Sequence, residues 1–171
     1  MPTRARTAWI ILVAACVSAG AGCARARIEN GRYLSPKGYR VAVPPDGWTV
    51  VSGGPADLEL RHESPTAQML VHGSCDGPGR GRSAHILARH LLMGIDHRRV
   101  IERGEVAIAG RVATHVVLEG RAPDEEEPVR VEAYVAKSER CIYDFLYAAP
   151  VASFETARRD FQRFVESFTT D

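Results

Sequence analysis

Residues 37–51, KGYRVAVPPDGWTVV, carry the pattern on which the fold turns. Tyr39, Val41 and Val43 alternate with Arg40 and Ala42, the two-residue period of a strand with one buried face. Pro44-Pro45-Asp46-Gly47 supplies turn chemistry before Trp48-Thr49-Val50-Val51 resumes an extended run. The same grammar repeats along the chain. Residues 57–62 and 67–74 read as strands joined by Glu63-Ser64-Pro65-Thr66, a hairpin-like turn. Residues 99–109 and 111–121 pivot on Gly110, where a turn needs positive φ and glycine adopts it at little cost. Residues 129–137 and 141–148 form a further β pair whose alternation sets Val131, Ala133 and Val135 on one face, and the acidic run Asp124-Glu125-Glu126-Glu127 is expected as a solvated hairpin tip.

Two segments break this period. Behind the glycine-rich loop at 77–81, Ser83 stands as an N-cap, and Ile86, Leu87, Leu91, Leu92 and Ile95 recur at three- and four-residue intervals, so a helix is expected over 83–95, closed near Gly94. The last element is the clearest helix. Phe154, Ala157, Phe161, Phe164, Val165 and Phe168 form one apolar stripe, with Arg158, Arg159, Asp160 and Arg163 expected on the solvent side.

The N-terminus has a different logic. Arg4 and Arg6 precede an apolar run over 8–17, followed by Ser18-Ala19-Gly20-Ala21-Gly22 and Cys23. About ten apolar residues fall short of the roughly twenty that a membrane-spanning helix needs, and the small residues behind them suit cleavage. Gly20-Ala21-Gly22-Cys23 resembles the cleavage box of bacterial lipoproteins, although Gly20 stands where a branched residue is usual. The expectation is a lipoprotein signal peptide over 1–22 and acylation, palmitate included, of Cys23. Val13-Ala14-Ala15-Cys16 is a second candidate box with a shorter apolar run before it, and simple secretion with cleavage near Ala21 is a third reading. Residues 23–36, with few apolar groups and with Asn30-Gly31 and Pro36, read as a tether, and 37–171 as one domain. Several acyl chains would hold the domain at the bilayer surface, and Ala24 in place of an inner-membrane-retaining aspartate favours the outer membrane if the host is Gram-negative.

Composition narrows the function classes. Removing 1–22 takes away Arg4 and Arg6 and no acid, leaving 20 basic against 21 acidic residues. A near-neutral domain argues against nucleic acid and against an electrostatic membrane-binding face. Cys75 and Cys141 remain once Cys16 leaves with the signal and Cys23 is acylated. In an oxidising compartment a disulfide is the economical pairing, and a buried free thiol at either position is the alternative. Two cysteines without a Cys-x-x-Cys or a paired histidine lack zinc-ligand spacing, so no metal and no cofactor is expected.

No catalytic set emerges. Ser74 in Gly73-Ser74-Cys75-Asp76-Gly77 lacks the Gly-x-Ser-x-Gly elbow and reads as a strand end. His62, His72, His85, His90, His97 and His115 form neither His-x-x-x-His nor His-Glu-x-x-His. The acidic run lacks the alternating ligands and turn glycine of a calcium loop. Tyr143, Phe145 and Tyr147 alternate on one strand face, where they either line a pocket for a lipid or small hydrophobic ligand or simply fill the core.

Gly38-Tyr39-Arg40-Val41-Ala42-Val43-Pro44 followed by Gly47-Trp48, the hairpin Val106-Ala107-Ile108-Ala109-Gly110-Arg111, the stretch 143–150 and a closing helix ending Val165-Glu166-Ser167-Phe168 together resemble the PsbP/Mog1/DcrB-like superfamily. The resemblance spans about residues 33–168. It implies an α+β fold, an antiparallel β-sheet sandwiched between helices, here following a cleaved signal peptide. The superfamily includes photosystem-associated, transport-associated and nuclear-transport proteins with no shared catalytic residues. The implied role is therefore non-enzymatic: an accessory or assembly factor of the cell envelope, facing the periplasm, with membrane contact through its lipid and a protein partner. Carriage of a small hydrophobic ligand is the alternative.

Overall fold

The computed structural model describes residues 26–123 and 127–170. Cys16, Cys23, the expected signal peptide over 1–22 and most of the acidic run, 124–126, lie outside the described residues. In chain order the elements are β1 (Arg27–Glu29), β2 (Arg32–Ser35), β3 (Tyr39–Ala42), β4 (Trp48–Val51), β5 (Leu58–Glu63), β6 (Thr66–Cys75), α1 (Ala84–Leu91), β7 (Asp96–Ile108), β8 (Arg111–Arg121), β9 (Val129–Lys137), β10 (Cys141–Pro150), α2 (Phe154–Glu166) and β11 (Thr169–Thr170), with a 3-10 turn at Pro78–Gly81. Seven strands form one antiparallel sheet in the order β4-β5-β6-β10-β9-β8-β7, and four form a smaller sheet in the order β1-β2-β3-β11.

The alternation read from the sequence sets the two faces of the large sheet. Tyr143, Phe145 and Tyr147 of β10 point to one side, where they meet the phenylalanines of α2 and the tyrosines of the small sheet. Val131, Ala133 and Val135 of β9 point to the other side, beneath Ala88 of α1 and Leu92 just past its end. Helices on both faces give the expected α+β sandwich, and the small sheet shares the α2 face. Ala157, Phe161, Phe164 and Val165 of α2, with Phe168 just beyond its end, are buried as the apolar stripe requires.

Three boundaries differ from the sequence expectation. The segment expected as tether contains β1 and β2: Asn30 and Gly31, at φ 50° and 71°, make the two-residue left-handed turn that an Asn-Gly pair favours, and Tyr33 is buried against Tyr39 at 6.0 Å between ring centroids. The folded unit therefore already includes Arg27–Glu29 and Arg32–Ser35, ahead of residue 37. Ser83 caps α1, its hydroxyl accepting from the Ile86 amide, but the helix ends at Leu91, and β7 already starts at Asp96. After α2 the chain adds β11, which pairs with β3 and closes the small sheet.

Candidate functional site

The ring-lined strand face is filled by the protein itself. Tyr143 and Phe145 lie 4.8 and 5.1 Å, centroid to centroid, from Phe168, and Tyr147 stacks on Phe161 at 5.4 Å. The Tyr147 hydroxyl donates to the Phe154 carbonyl at 2.8 Å, which satisfies the polar atom that this ring carries into the core. Edge-to-face and tilted contacts between these rings are what α2 docks onto. The structure brings Tyr143, Phe145 and Tyr147 together as packing, and α2 occupies the volume that a ligand would need.

Cys75 and Cys141 do pair. They stand opposite each other in the β6–β10 register, with an S–S bond of 2.01 Å and Cα atoms 4.1 Å apart. Beside the bridge an open cleft of about 680 Å³ is rimmed by Lys37, Arg111 and Arg140 together with Glu139 and Tyr143. Its cations are engaged. Lys37 Nζ donates to Asp57 Oδ1 at 2.6 Å and to the Gly73 carbonyl, Arg111 donates to the Ala109 carbonyl at 3.2 Å, and Arg140 reaches Asp76 at 3.4 Å. Asp57, the partner of Lys37, also accepts at Oδ2 from the Tyr39 hydroxyl and the Gly73 amide, both at 2.8 Å. Burial pushes the Asp57 carboxyl up, but the hydrogen bonds from Lys37, Gly73 and Tyr39 outweigh it and leave the group below the usual carboxylate range. Burial, and after it the charge and hydrogen bond of Asp57, raise the Tyr39 phenol, so this pair stays in the form phenol plus carboxylate.

A second polar cluster escaped the sequence reading. Glu132 on β9 is fully buried, and its carboxylate accepts from three side chains: Arg158 Nε at 2.8 Å, Tyr134 hydroxyl at 2.8 Å and His115 Nε2 at 2.9 Å. Burial alone would raise this acid, but the His115, Arg158 and Tyr134 hydrogen bonds hold it at about 2. His115 stacks on Tyr134 at 4.4 Å, and Arg158 lies over the Phe154 ring at 5.5 Å. Arg158, expected on the solvent flank of α2, instead turns onto the sheet, since a 3.6-residue period predicts direction but not the reach of a long side chain. The signal that was available was Glu132 itself, an acid on the strand face that carries Arg130, Tyr134 and Ala136. A histidine held by a carboxylate is half of a base-and-orienter pair, but the hydroxyl that this cluster contains, that of Tyr134, donates to the same carboxylate, and among the described residues the cluster holds no serine, threonine or cysteine.

The remaining histidines are dispersed. His62 Nδ1 lies 3.1 Å from the Pro65 carbonyl, and His72 lies 3.5 Å from Asp57 without hydrogen-bond geometry. Among the described residues no three His, Cys, Asp or Glu side chains are placed to share a metal. Ser74 sits near the end of β6, as expected, with its neighbour locked in the disulfide.

On the opposite face, eight-residue α1 covers β8 and β9 only in part and leaves a groove of about 290 Å³ at its C-terminal end, walled by Leu91, Leu92, Ile95, Val129, Leu146 and Ala148. Asp144 shares this strand face with Leu146 and Ala148, and burial pushes its carboxyl up to about 6.

No family model matches the chain, and no curated protein does either. Solved structures do. The cyanobacterial PsbP of Synechocystis matches at a TM-score of 0.58 and 17% identity over 91% of this chain and 99% of its own. LpqN of Mycobacterium tuberculosis, described as involved in cell envelope biogenesis, matches at 0.59 and 10% identity over 80% and 87% of the two chains. A variant of Mog1 matches at 0.54 and 13% identity over 80% and 93%. At these identities the likeness concerns the fold, and the fold is PsbP/Mog1-like.

Proposed function

We propose that this PsbP/Mog1-like chain is an exported accessory protein of the bacterial cell envelope, held to a bilayer by lipid on Cys23, whose folded domain binds a protein partner and carries out no reaction. The Cys75–Cys141 bridge carries the reading, because such bonds persist in oxidising compartments and are rare in the cytosol. The envelope-associated neighbour LpqN supports the same placement. The carboxylates of both polar clusters, Asp57 and Glu132, are held by hydrogen bonds from within the domain, which fits a binding scaffold better than a catalytic one. Metabolic labelling with a fatty-acid analogue tests the anchor: label should follow Cys23 and vanish in Cys23→Ser, and label that vanishes only with Cys16→Ser moves the anchor to the earlier box. Crosslinking in intact envelopes followed by capture tests the role. A single defined envelope protein is expected, and recovery of bulk lipoproteins alone overturns it.

A second reading, carriage of a small hydrophobic ligand, is favoured by one observation, the apolar groove beside α1. It moves the ligand from the Tyr143, Phe145 and Tyr147 face to Leu146 and Ala148 on the other side of the same strand. Native mass spectrometry of the purified chain distinguishes the readings, since a carrier retains a bound mass that Leu146→Glu removes.

A further inference from the structure

The edge of the large sheet is unlike the rest of the molecule. Every residue of β7 from Asp96 to Ala107 is exposed, and only Ile108 at its end is buried. The strand is reached only by single side-chain contacts such as Arg158 of α2 on Glu102, and its own Arg98 donates to the Leu92 carbonyl behind α1. Among the described residues no strand pairs with its outer side. Val100, Ile101 and Val106 are 47, 38 and 37% exposed along it. Natural edges of this length are covered, shortened or twisted away, because their free amides and carbonyls otherwise recruit another strand. The opposite edge, β4, has four residues.

Hairpin geometry says which backbone groups are free. Ala109 and Gly110, at φ 48° and 73°, form a two-residue left-handed turn closed by the pair Ile108↔Arg111. In such a turn the closing pair exchanges hydrogen bonds within the hairpin, and the direction alternates along the strand. The register is regular from Ile108↔Arg111 back to Glu102↔Val117 and shifts only beyond it. Glu102, Gly104, Val106 and Ile108 therefore direct their main-chain groups at β8, while Arg103, Glu105 and Ala107 direct theirs outward.

We infer that β7 pairs antiparallel with β7 of a second copy of this chain, about a two-fold axis at Gly104. Within the regular stretch, only that axis sets charges of opposite sign against each other. It sets the outward-facing Arg103 opposite Glu105 of the other copy, and by symmetry Glu105 opposite Arg103, giving two hydrogen-bonded cross-strand pairs of opposite charge. An axis at Arg103 or Glu105 opposes like charges, and one at Glu102 runs into the register shift. Arg103 and Glu105 have no ion-pair or hydrogen-bond partner among the described residues of their own chain, although charged neighbours such as Arg99, Glu102 and Arg158 are all paired. At the axis Gly104 has nothing within 4 Å of the position a Cβ would take, so a small side chain fits there on the sheet face. The product is one continuous fourteen-stranded sheet, twice the seven strands of one copy.

The test uses the purified full chain with Cys16→Ser and Cys23→Ser, so that an added cysteine is the only free thiol beside the internal bridge. Gly104→Cys places two thiols across the axis at a non-hydrogen-bonded pair, where Cα atoms approach to about 4.5 Å. Mild oxidation is expected to give a covalent dimer with this variant and none with Val50→Cys on the other edge. Adding Glu105→Arg should lower the yield about tenfold by opposing arginines twice, and adding Arg103→Glu as well should restore it. Equal yields at positions 50 and 104, a yield indifferent to the charge reversals, or no dimer at all overturns the pairing and leaves the edge to a different partner.

Discussion

Arg158 Nε lies 2.8 Å from Oε2 of Glu132, an ion pair between α2 and the middle of the large sheet whose acidic partner has no solvent exposure. Such a pair adds little net stability over an apolar substitute, but it is costly to break in half. Arg158→Met should therefore destabilise the domain by about 3 to 5 kcal/mol in urea unfolding, and Glu132→Met combined with Arg158→Met should recover most of that loss. A single variant as stable as the parent would mean that water reaches the carboxylate.

Stability should pass through a maximum in mildly acidic solution, because two acids pull in opposite directions. Glu132 is held at about 2 against an ordinary 4.5, so its contribution is complete above about pH 4.5 and disappears as pH falls toward 2. Asp144 is raised to about 6 from an ordinary 3.8, so its contribution is complete below about 3.8 and disappears as pH rises through 6. Asp144→Asn removes the second loss alone. The parent should weaken by about 2 to 3 kcal/mol between pH 4 and pH 7, and the variant should stay level over that interval, as followed by urea midpoints at each pH. Parallel curves for the two proteins would place Asp144 in contact with water.

Phe161 is fully buried and touches Tyr134 at 5.8 Å, Tyr147 at 5.4 Å and Phe164 at 6.5 Å between ring centroids. Truncation to alanine loses the transfer free energy of the ring and leaves a cavity between α2 and β10, so Phe161→Ala should cost about 3 to 5 kcal/mol. A midpoint within error of the parent would mean that α2 is not docked on the sheet in solution.

What the sequence disclosed and what it withheld follow from the range of each signal. Tyr39, Val41, Tyr143 and Phe145 declare their strands because one buried face imposes a period of two on contiguous residues. The stripe from Phe154 to Phe168 declares α2 in the same way. The hairpin at Asn30-Gly31 was legible in its turn and lost in its flanks, since β1 and β2 have three and four residues and only Tyr33 is buried. The Glu132 cluster draws His115 and Arg158 from positions 17 and 26 residues away, and which face each presents depends on the β8–β9 register and on the seat of α2. No local window contains that. The self-complementary charges of β7 are visible in the sequence, but their meaning depends on the strand lying at an edge.

The disulfide gives the last prediction. Cys75 closes β6 and Cys141 opens β10, and the two are opposite each other at the end of an antiparallel ladder that is already continuous from Cys141↔Cys75 to Ala148↔Gln68. The bridge spans 66 residues, and the loop it closes holds α1 and the β7–β8–β9 meander, so in the unfolded chain it ties together segments that are otherwise far apart. In the chain-entropy account a loop of that length contributes about 4 kcal/mol, less any strain in the folded state. Protein purified without reductant should show no reactive thiol at these two positions after denaturation. Cys75→Ala with Cys141→Ala should lower the urea midpoint by an amount equivalent to about 2 to 4 kcal/mol while leaving the fold, because β6 and β10 keep their ladder and the phenylalanines of α2 keep their seat. Two free thiols in protein taken from the cell envelope would sink both this prediction and the oxidising compartment on which the functional proposal rests, whereas a bridged protein that loses no stability on reduction would confine the bond to marking where the chain folds.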